Sequence, residues 1–128
     1  LTKEYEGFVV VIDDSAIPRR ILSDGLSRLN IPHDTFESGT KFVERIKSDP
    51  SYMTKVSLII TDIEMDGILG FEVIQIVKEK HPEVSIVGNT TASNYKKQVM
   101  EVGADGFYAK MDFAQLQHAV DTFLKKKK

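Results

Sequence analysis

Short apolar runs of strand length alternate along the chain with stretches whose apolar residues repeat at helical spacing, and this alternation constrains the fold most. The run Phe8–Ile12 (FVVVI) is rich in β-branched residues and apolar on both faces, which is typical of a buried parallel strand. Similar runs are predicted at 33–36, 56–60, 84–87 and 106–109, each followed by a helical stretch. The sequence therefore predicts five strand–helix units.

Strands that alternate with helices indicate a parallel sheet covered on both faces, joined by right-handed crossovers. For five units we expect a doubly wound, flavodoxin-like α/β sheet with the predicted strands in the order 2-1-3-4-5. Ligands of such sheets bind at the carboxyl ends of the strands, beside the switch point between the first and third strands. Residues 1–128 are expected to form one domain, with the basic tail 125–128 as a solvated end.

The first predicted helix carries a stripe of apolar residues that we expect to face the core: Ile17, Ile21, Leu22, Leu26 and Leu29. Ser15 is its predicted N-cap residue. The fourth predicted helix, over 94–102, has the weakest stripe and is expected to end at Gly103.

Composition and charge exclude several classes of protein. The 128 residues include no cysteine, which excludes a disulfide framework, a thiolate metal site and a cysteine nucleophile, and which fits a reducing cytoplasm. The net charge is −2, and −6 without the four terminal lysines (13 positive against 19 negative), so a nucleic-acid-binding surface is not expected. The longest apolar run has five residues, far fewer than the roughly 18 that cross a bilayer, so no membrane span is expected.

Three carboxylates are predicted to converge at the carboxyl edge of the sheet. Asp13 and Asp14 follow the first strand, and Asp62 follows the third, which is its neighbour in the expected order. Carboxylates this close repel one another unless a cation lies between them, and oxygen ligands without histidine favour Mg²⁺ or Mn²⁺. An Asp-Asp-Ser segment alone is more often a helix cap, but Asp62 on the adjacent strand favours a metal site.

Two further side chains are predicted at the same edge. Thr91 follows the fourth strand and Lys110 follows the fifth. Alone, such a threonine usually caps a helix and such a lysine is usually solvated. Together with the three carboxylates they suit transfer of a phosphoryl group onto a carboxylate, with positive groups neutralising the charge of its equatorial oxygens.

Four segments, each after the right strand, carry a resemblance to a family: VIDDS at 11–15 with Arg19, IITDIEM at 59–65 with Gly70, NTTA at 89–92, and GADGFYAK at 103–110. The whole chain resembles the receiver domain of two-component response regulators. The resemblance implies that Asp62 accepts the phosphoryl group and that Asp14 binds the metal directly. It also implies that Asp13 binds through water or positions the ion, and that the Glu64 backbone carbonyl completes the site.

By the same resemblance, Thr91 and Lys110 would hold the phosphoryl oxygens, and Thr91 and Phe107 would form the switch to the output surface. Glu64 and Ser93, two residues beyond the phosphoacceptor and the threonine, would tune the lifetime of the phosphoryl group. The chain departs from the family pattern at Asp66 and Met111, where prolines are usual.

The resemblance implies a signalling phosphoacceptor, catalysing only its own phosphorylation and dephosphorylation. Its partners would be a histidine kinase or phosphotransfer protein and, through the fourth helix, fifth strand and fifth helix, a downstream protein or fused effector domain. The segments DIEM at 62–65 and ESG at 37–39 are similar to those of receivers in chemotaxis coupling proteins. One alternative is a pseudo-receiver that binds partners without phosphorylation, and another is a Mg²⁺-dependent phosphatase with an aspartyl nucleophile.

Overall fold

The computed structural model describes residues 4–91, 93–109 and 111–127. Their strands are β1 Tyr5–Glu6, β2 Phe8–Ile12, β3 His33–Phe36, β4 Val56–Asp62, β5 Ser85–Asn89, β6 Gly106–Tyr108 and β7 Lys125–Lys126. Their helices are α1 Ala16–Arg28, α2 Gly39–Ser48, α3 Gly70–Lys80, α4 Lys96–Glu101 and α5 Phe113–Phe123, with 3-10 turns at Tyr52–Thr54 and Ser93–Tyr95.

The main sheet is parallel, with its five strands in the order β3-β2-β4-β5-β6. Strand β1 is not part of this sheet, so β2 to β6 correspond to the first to fifth predicted strands. In that numbering the observed order is the predicted 2-1-3-4-5 order, and the predicted fold class is confirmed. Among the described residues, no helix combines the length and the apolar character needed to cross a membrane.

Alternate residues of each central strand enter different cores, as the two-residue period of a strand requires. In β2, Val10 and Ile12 face the core beneath α2, α3 and α4, whereas Val9 and Val11 face the core beneath α1 and α5. Both faces of the sheet are thus buried beneath helices, which explains why the strand segments of the sequence are apolar without interruption.

Helix α1 buries a narrower face than the sequence predicts. Leu22, Gly25 and Leu26 face the core, but Ile17 and Ile21 are 74% and 51% exposed, so their predicted burial is wrong. The helix is positioned by its close approach to α5, where a Cβ atom at Gly25 would lie 2.6 Å from Leu116. Ile17 and Ile21, four residues apart, lie together on the exposed side of α1.

The start of α1 and the ends of α4 agree with the sequence predictions only in part. Ser15 is the N-cap residue of α1, but its side chain makes no capping hydrogen bond. Helix α4 is shorter than predicted, because a 3-10 turn occupies Ser93–Tyr95. It ends as predicted, with Gly103 at a φ of +109° that L side chains rarely adopt.

The chain ends form a second, two-stranded sheet that the sequence analysis missed. Strand β1 pairs antiparallel with β7, and Gly7, at a φ of +125°, turns the chain from β1 into β2. The Tyr5 ring is buried and its hydroxyl donates a hydrogen bond to Asp121. The side chains of Lys125 and Lys126 are exposed, and the pairing of their backbone with β1 was not predicted.

Candidate functional site

The register of the central strands brings the acidic residues together. Ile12 of β2 lies opposite Thr61 of β4, so the next residue of each chain segment, Asp13 and Asp62, lies at the same edge. Oxygen atoms of Asp13, Asp14 and Asp62 all lie within 4.8 Å of one another. The three carboxylates thus converge as the sequence predicts.

Backbone groups orient two of the three carboxylates. The Oδ1 atom of Asp13 accepts a hydrogen bond from the Ser15 backbone N–H (2.8 Å), which forms the turn into α1. The Oδ1 atom of Asp62 accepts one from the Ile63 N–H (2.8 Å). Arg19 donates from Nη1 to the Asp13 carbonyl oxygen (2.8 Å) and so fixes the loop between β2 and α1.

Burial and like charge make ionisation of this cluster unfavourable. Burial, together with the neighbouring carboxylates of Asp13 and Asp14, raises the pKa of Asp62 to about 7. Burial also raises the pKa of Asp13, although the Ser15 N–H opposes this change. A divalent cation would relieve both effects, so the donor set fits a hard ion such as Mg²⁺.

A cavity of about 350 Å³ opens above the cluster. Its walls come from the ends of β2, β4 and β5 and the loops that follow them, from the first turns of α1, and from the loop between β6 and α5: Asp13, Asp14, Ser15, Pro18, Ile21, Asp62, Glu64, Asn89, Thr90, Thr91 and Met111. One wall is acidic, whereas the wall made by Pro18, Ile21 and Met111 is apolar. The cavity is large enough for a tetrahedral oxyanion and open to a partner.

The remaining predicted residues are distributed as follows. Thr91 is exposed and lines the cavity with Glu64, whereas Phe107 lies half-buried on β6 against the core that contains Val99. Lys110 lies outside the described residues, as does the side chain of Ser93, whose backbone begins a 3-10 turn.

The sequence analysis missed two features of the site. The Glu64 carboxylate accepts a hydrogen bond from the Tyr95 hydroxyl (2.5 Å), and the buried Met111 side chain lines the cavity. Tyr95 lies 31 positions beyond Glu64, so no local pattern relates the two residues. Met111 directly follows Lys110, and its apolar character was the only available signal.

The strand order and the acidic cluster define the class of this protein: a doubly wound α/β domain with a candidate cation site at its switch point. The sequence profile described as "Response regulator receiver domain" matches residues 9–121. The chain belongs to the response regulator receiver domain family, and the resemblance predicted from its four motifs is confirmed.

Two curated relatives show the range of the family. The chain is 31% identical over 120 residues to the chemotaxis protein CheV1 of Helicobacter pylori, which covers 91% of this chain and 37% of CheV1. It is also 31% identical over 106 residues to the two-component response regulator ORR5 of Oryza sativa subsp. japonica, covering 80% and 76% of the two chains. The chain thus spans little more than a third of its chemotaxis relative.

Solved structures agree with this fold. The response regulator TrrA of Thermotoga maritima, solved in complex with Mg²⁺ and BeF, is 28% identical, with a TM-score of 0.79 over 91% of this chain and 97% of TrrA. The chemotaxis response regulator CheY4 of Vibrio cholerae is 24% identical, with a TM-score of 0.78 over 91% and 98% of the two chains. The second likeness concerns the fold alone.

Proposed function

We propose that Asp62 accepts a phosphoryl group from a phosphohistidine of a sensor histidine kinase or phosphotransfer protein. In this step a carboxylate oxygen of Asp62 forms a bond to phosphorus while the phosphorus–nitrogen bond of the donor breaks, and the imidazole leaves. The observation that carries the proposal is the convergence of Asp13, Asp14 and Asp62 within 4.8 Å at the floor of an open cavity.

Mg²⁺ is the proposed cofactor, with Mn²⁺ as a substitute. Asp13, Asp14, Asp62 and the Glu64 backbone carbonyl would hold it, and when bound it would neutralise carboxylate and phosphoryl charge. The carboxylates of Asp13 and Asp62 would bind it in defined orientations, because backbone N–H groups hold one oxygen of each. Thr91 and Lys110 are proposed to hold the phosphoryl oxygens.

The surface beside the cavity supports a protein donor. Ile17 and Ile21 are largely exposed, and Ile21 and Pro18 form the apolar cavity wall. Exposed apolar groups beside a polar site are typical of a protein-binding surface. A donor helix packed against α1 would place its phosphohistidine over Asp62.

The output is proposed to run through α4, β6 and α5. Thr91 would move towards a phosphoryl group on Asp62, since hydrogen bonds to charged acceptors are the stronger ones. Phe107, half-buried on β6, would then rotate into the space behind Thr91 and change the surface offered to a downstream protein or fused effector domain. Glu64 and Ser93 would tune how long the phosphoryl group lasts.

We propose that residues 1–128 form one receiver domain that acts in the cytoplasm, where histidine kinases obtain ATP. The profile match over 9–121 and the pairing of β1 with β7 support a single unit. The proposed partners of this domain are proteins rather than nucleic acids or membranes.

The test is incubation with acetyl phosphate and Mg²⁺, followed by intact-mass measurement and peptide mapping. We expect one phosphoryl group per chain, on Asp62, and none in Asp62→Asn. Asp66→Asn is the matched control, because it removes an exposed carboxylate of the same loop, and it should be labelled like the wild type. An unlabelled wild type would favour a pseudo-receiver, and turnover of a free phosphomonoester would favour a phosphatase.

A further inference from the structure

One side-chain contact joins the loop after the phosphoacceptor to the entry of α4. The Tyr95 hydroxyl donates a hydrogen bond to Oε1 of Glu64 at 2.5 Å. Glu64 lies two residues after Asp62 and lines its cavity, and Tyr95 lies four residues after Thr91, at the end of the 3-10 turn. The bond therefore connects both segments that a phosphoryl group on Asp62 would contact.

The Tyr95 ring is held independently of its hydroxyl. Its ring meets the Phe71 ring edge to face, with the centroids 5.5 Å apart and the planes at 74°. Phe71 lies in the first turn of α3 and packs against the core beneath this face of the sheet. The ring is therefore fixed by packing, and the hydroxyl is presented to Glu64 without further ordering.

The Glu64 carboxylate is the fourth acidic group around the cavity. Asp13, Asp14 and Asp62 repel it, but repulsion alone selects no single position. The hydrogen bond from the Tyr95 hydroxyl does select a single position for the Glu64 carboxylate. It also engages Oε1, which could otherwise accept a proton or orient water. Because the bond is made by Oε1 alone, it restrains the position of the Glu64 carboxylate rather than blocking both of its oxygens.

We propose that Tyr95 is a positioning residue that holds the Glu64 carboxylate out of the path of attacking water and so prolongs the phosphoryl group on Asp62. The proposal rests on the proposed phosphoacceptor function. With the hydroxyl present, Glu64 is restrained. Without it, the carboxylate reaches the cavity mouth, orients a water molecule and accepts its proton as the oxygen of that water bonds to phosphorus and the aspartyl oxygen leaves.

The kinetic test uses Tyr95→Phe, which removes the hydroxyl and keeps the ring on Phe71. After phosphorylation and removal of the donor, we expect the acyl phosphate of the variant to be hydrolysed at least about threefold faster than that of the wild type. In a Glu64→Gln background the same change should have no effect, because the carboxylate is absent. Tyr52→Phe is the matched control: it removes a hydroxyl bonded to the carboxylate of Asp34 (2.6 Å) and should leave the rate unchanged.

A spectroscopic test needs no phosphorylation. In the free protein we expect nuclear Overhauser effects between the Tyr95 ring protons and the side-chain methylenes of Glu64, and their loss in Tyr95→Phe. Persistence of these effects in Tyr95→Phe would overturn the proposal, as would equal hydrolysis rates or an equal acceleration in both Glu64 backgrounds. A wild type that forms no acyl phosphate would instead overturn the phosphoacceptor function itself, so the two failures are distinguishable.

Discussion

The two edges of the sheet treat their carboxylates in opposite ways. At the amino edge, Asp105 forms an ion pair with Lys78 Nζ (2.6 Å) and accepts a hydrogen bond from the Ile86 N–H (2.9 Å), and Asp121 lies 3.6 Å from Lys126 Nζ. At the carboxyl edge, none of the ion pairs found among the described residues includes a member of the acidic cluster. Aspartate carboxylates are thus paired with lysine side chains at the amino edge and lie beside other carboxylates at the carboxyl edge.

This contrast separates carboxylates that stabilise the fold from carboxylates that destabilise it. A paired carboxylate contributes to stability, whereas a buried and unpaired one lowers it by raising the free energy of its charged form. Burial and the carboxylates of Asp13 and Asp14 raise the pKa of Asp62 to about 7, which places this effect at the carboxyl edge. Arg19 lies beside the cluster, but its guanidinium donates to the Asp13 backbone carbonyl oxygen and forms no ion pair with the three carboxylates in the described part of the chain.

Removing the crowded charge should have the largest effect. We expect Asp62→Asn to raise the free energy of unfolding of the metal-free protein at pH 7.5 by up to about 3 kcal/mol. The wild type should also lose stability as the pH rises from about 4 through 7, because its folded state binds the Asp62 proton more tightly than the unfolded chain does. Urea denaturation in the presence of a chelator at several pH values measures both.

Asp66→Asn is the control for this experiment, since it removes an exposed carboxylate outside the cluster. It should leave both the stability and its pH dependence nearly unchanged. If Asp62→Asn is no more stable than Asp66→Asn, the two edges do not differ as argued.

Breaking the pair at the amino edge should act in the opposite direction. Lys78→Met removes the ammonium group from Asp105 and from the Val84 carbonyl oxygen (2.9 Å), and we expect it to destabilise the protein by about 2 kcal/mol. Lys41→Met, which breaks an exposed pair with Glu37, should change the stability little. Equal losses in the two variants would show that burial of the Lys78 pair has no special effect.

Mg²⁺ added from solution should pair with the carboxylates of the carboxyl edge, as the lysine side chains already do at the amino edge. Mg²⁺ at ten times its dissociation constant should stabilise the wild type by about 1.4 kcal/mol through mass action. Asp14→Asn should require more Mg²⁺ for the same shift in melting temperature, whereas Asp66→Asn should follow the wild type. Identical titrations of Asp14→Asn and the wild type would remove Asp14 from the proposed metal site.

The strands and the acidic cluster could be predicted from local patterns, and the strand order followed from the usual order of five-unit doubly wound sheets. The run Phe8–Ile12 identifies a strand buried on both faces, and the residues directly after a strand must lie at its carboxyl edge whatever the packing elsewhere. Thr91 was placed beside the cavity by the same reasoning. Its role, like those of the other site residues, stays a prediction.

The features that were missed depend on contacts between distant segments. Ile17 and Ile21 are exposed because α5 fixes the rotation of α1, and a helical period cannot distinguish a core-facing stripe from one displaced around the helix. Strand β7 forms because β1 is available to pair with it, although a run of lysines has low strand propensity.

The pairing of β1 with β7 also determines where the polypeptide can be joined to other chains. The Lys127 N–H donates to the Glu4 carbonyl oxygen at 2.7 Å, so the two ends of the described chain emerge side by side. They do so at the amino edge, which the five residues of β2 separate from the acidic cavity by roughly 15 Å. A tether on either end therefore leaves the cavity mouth clear, and a linker of a few residues would close the backbone into a ring.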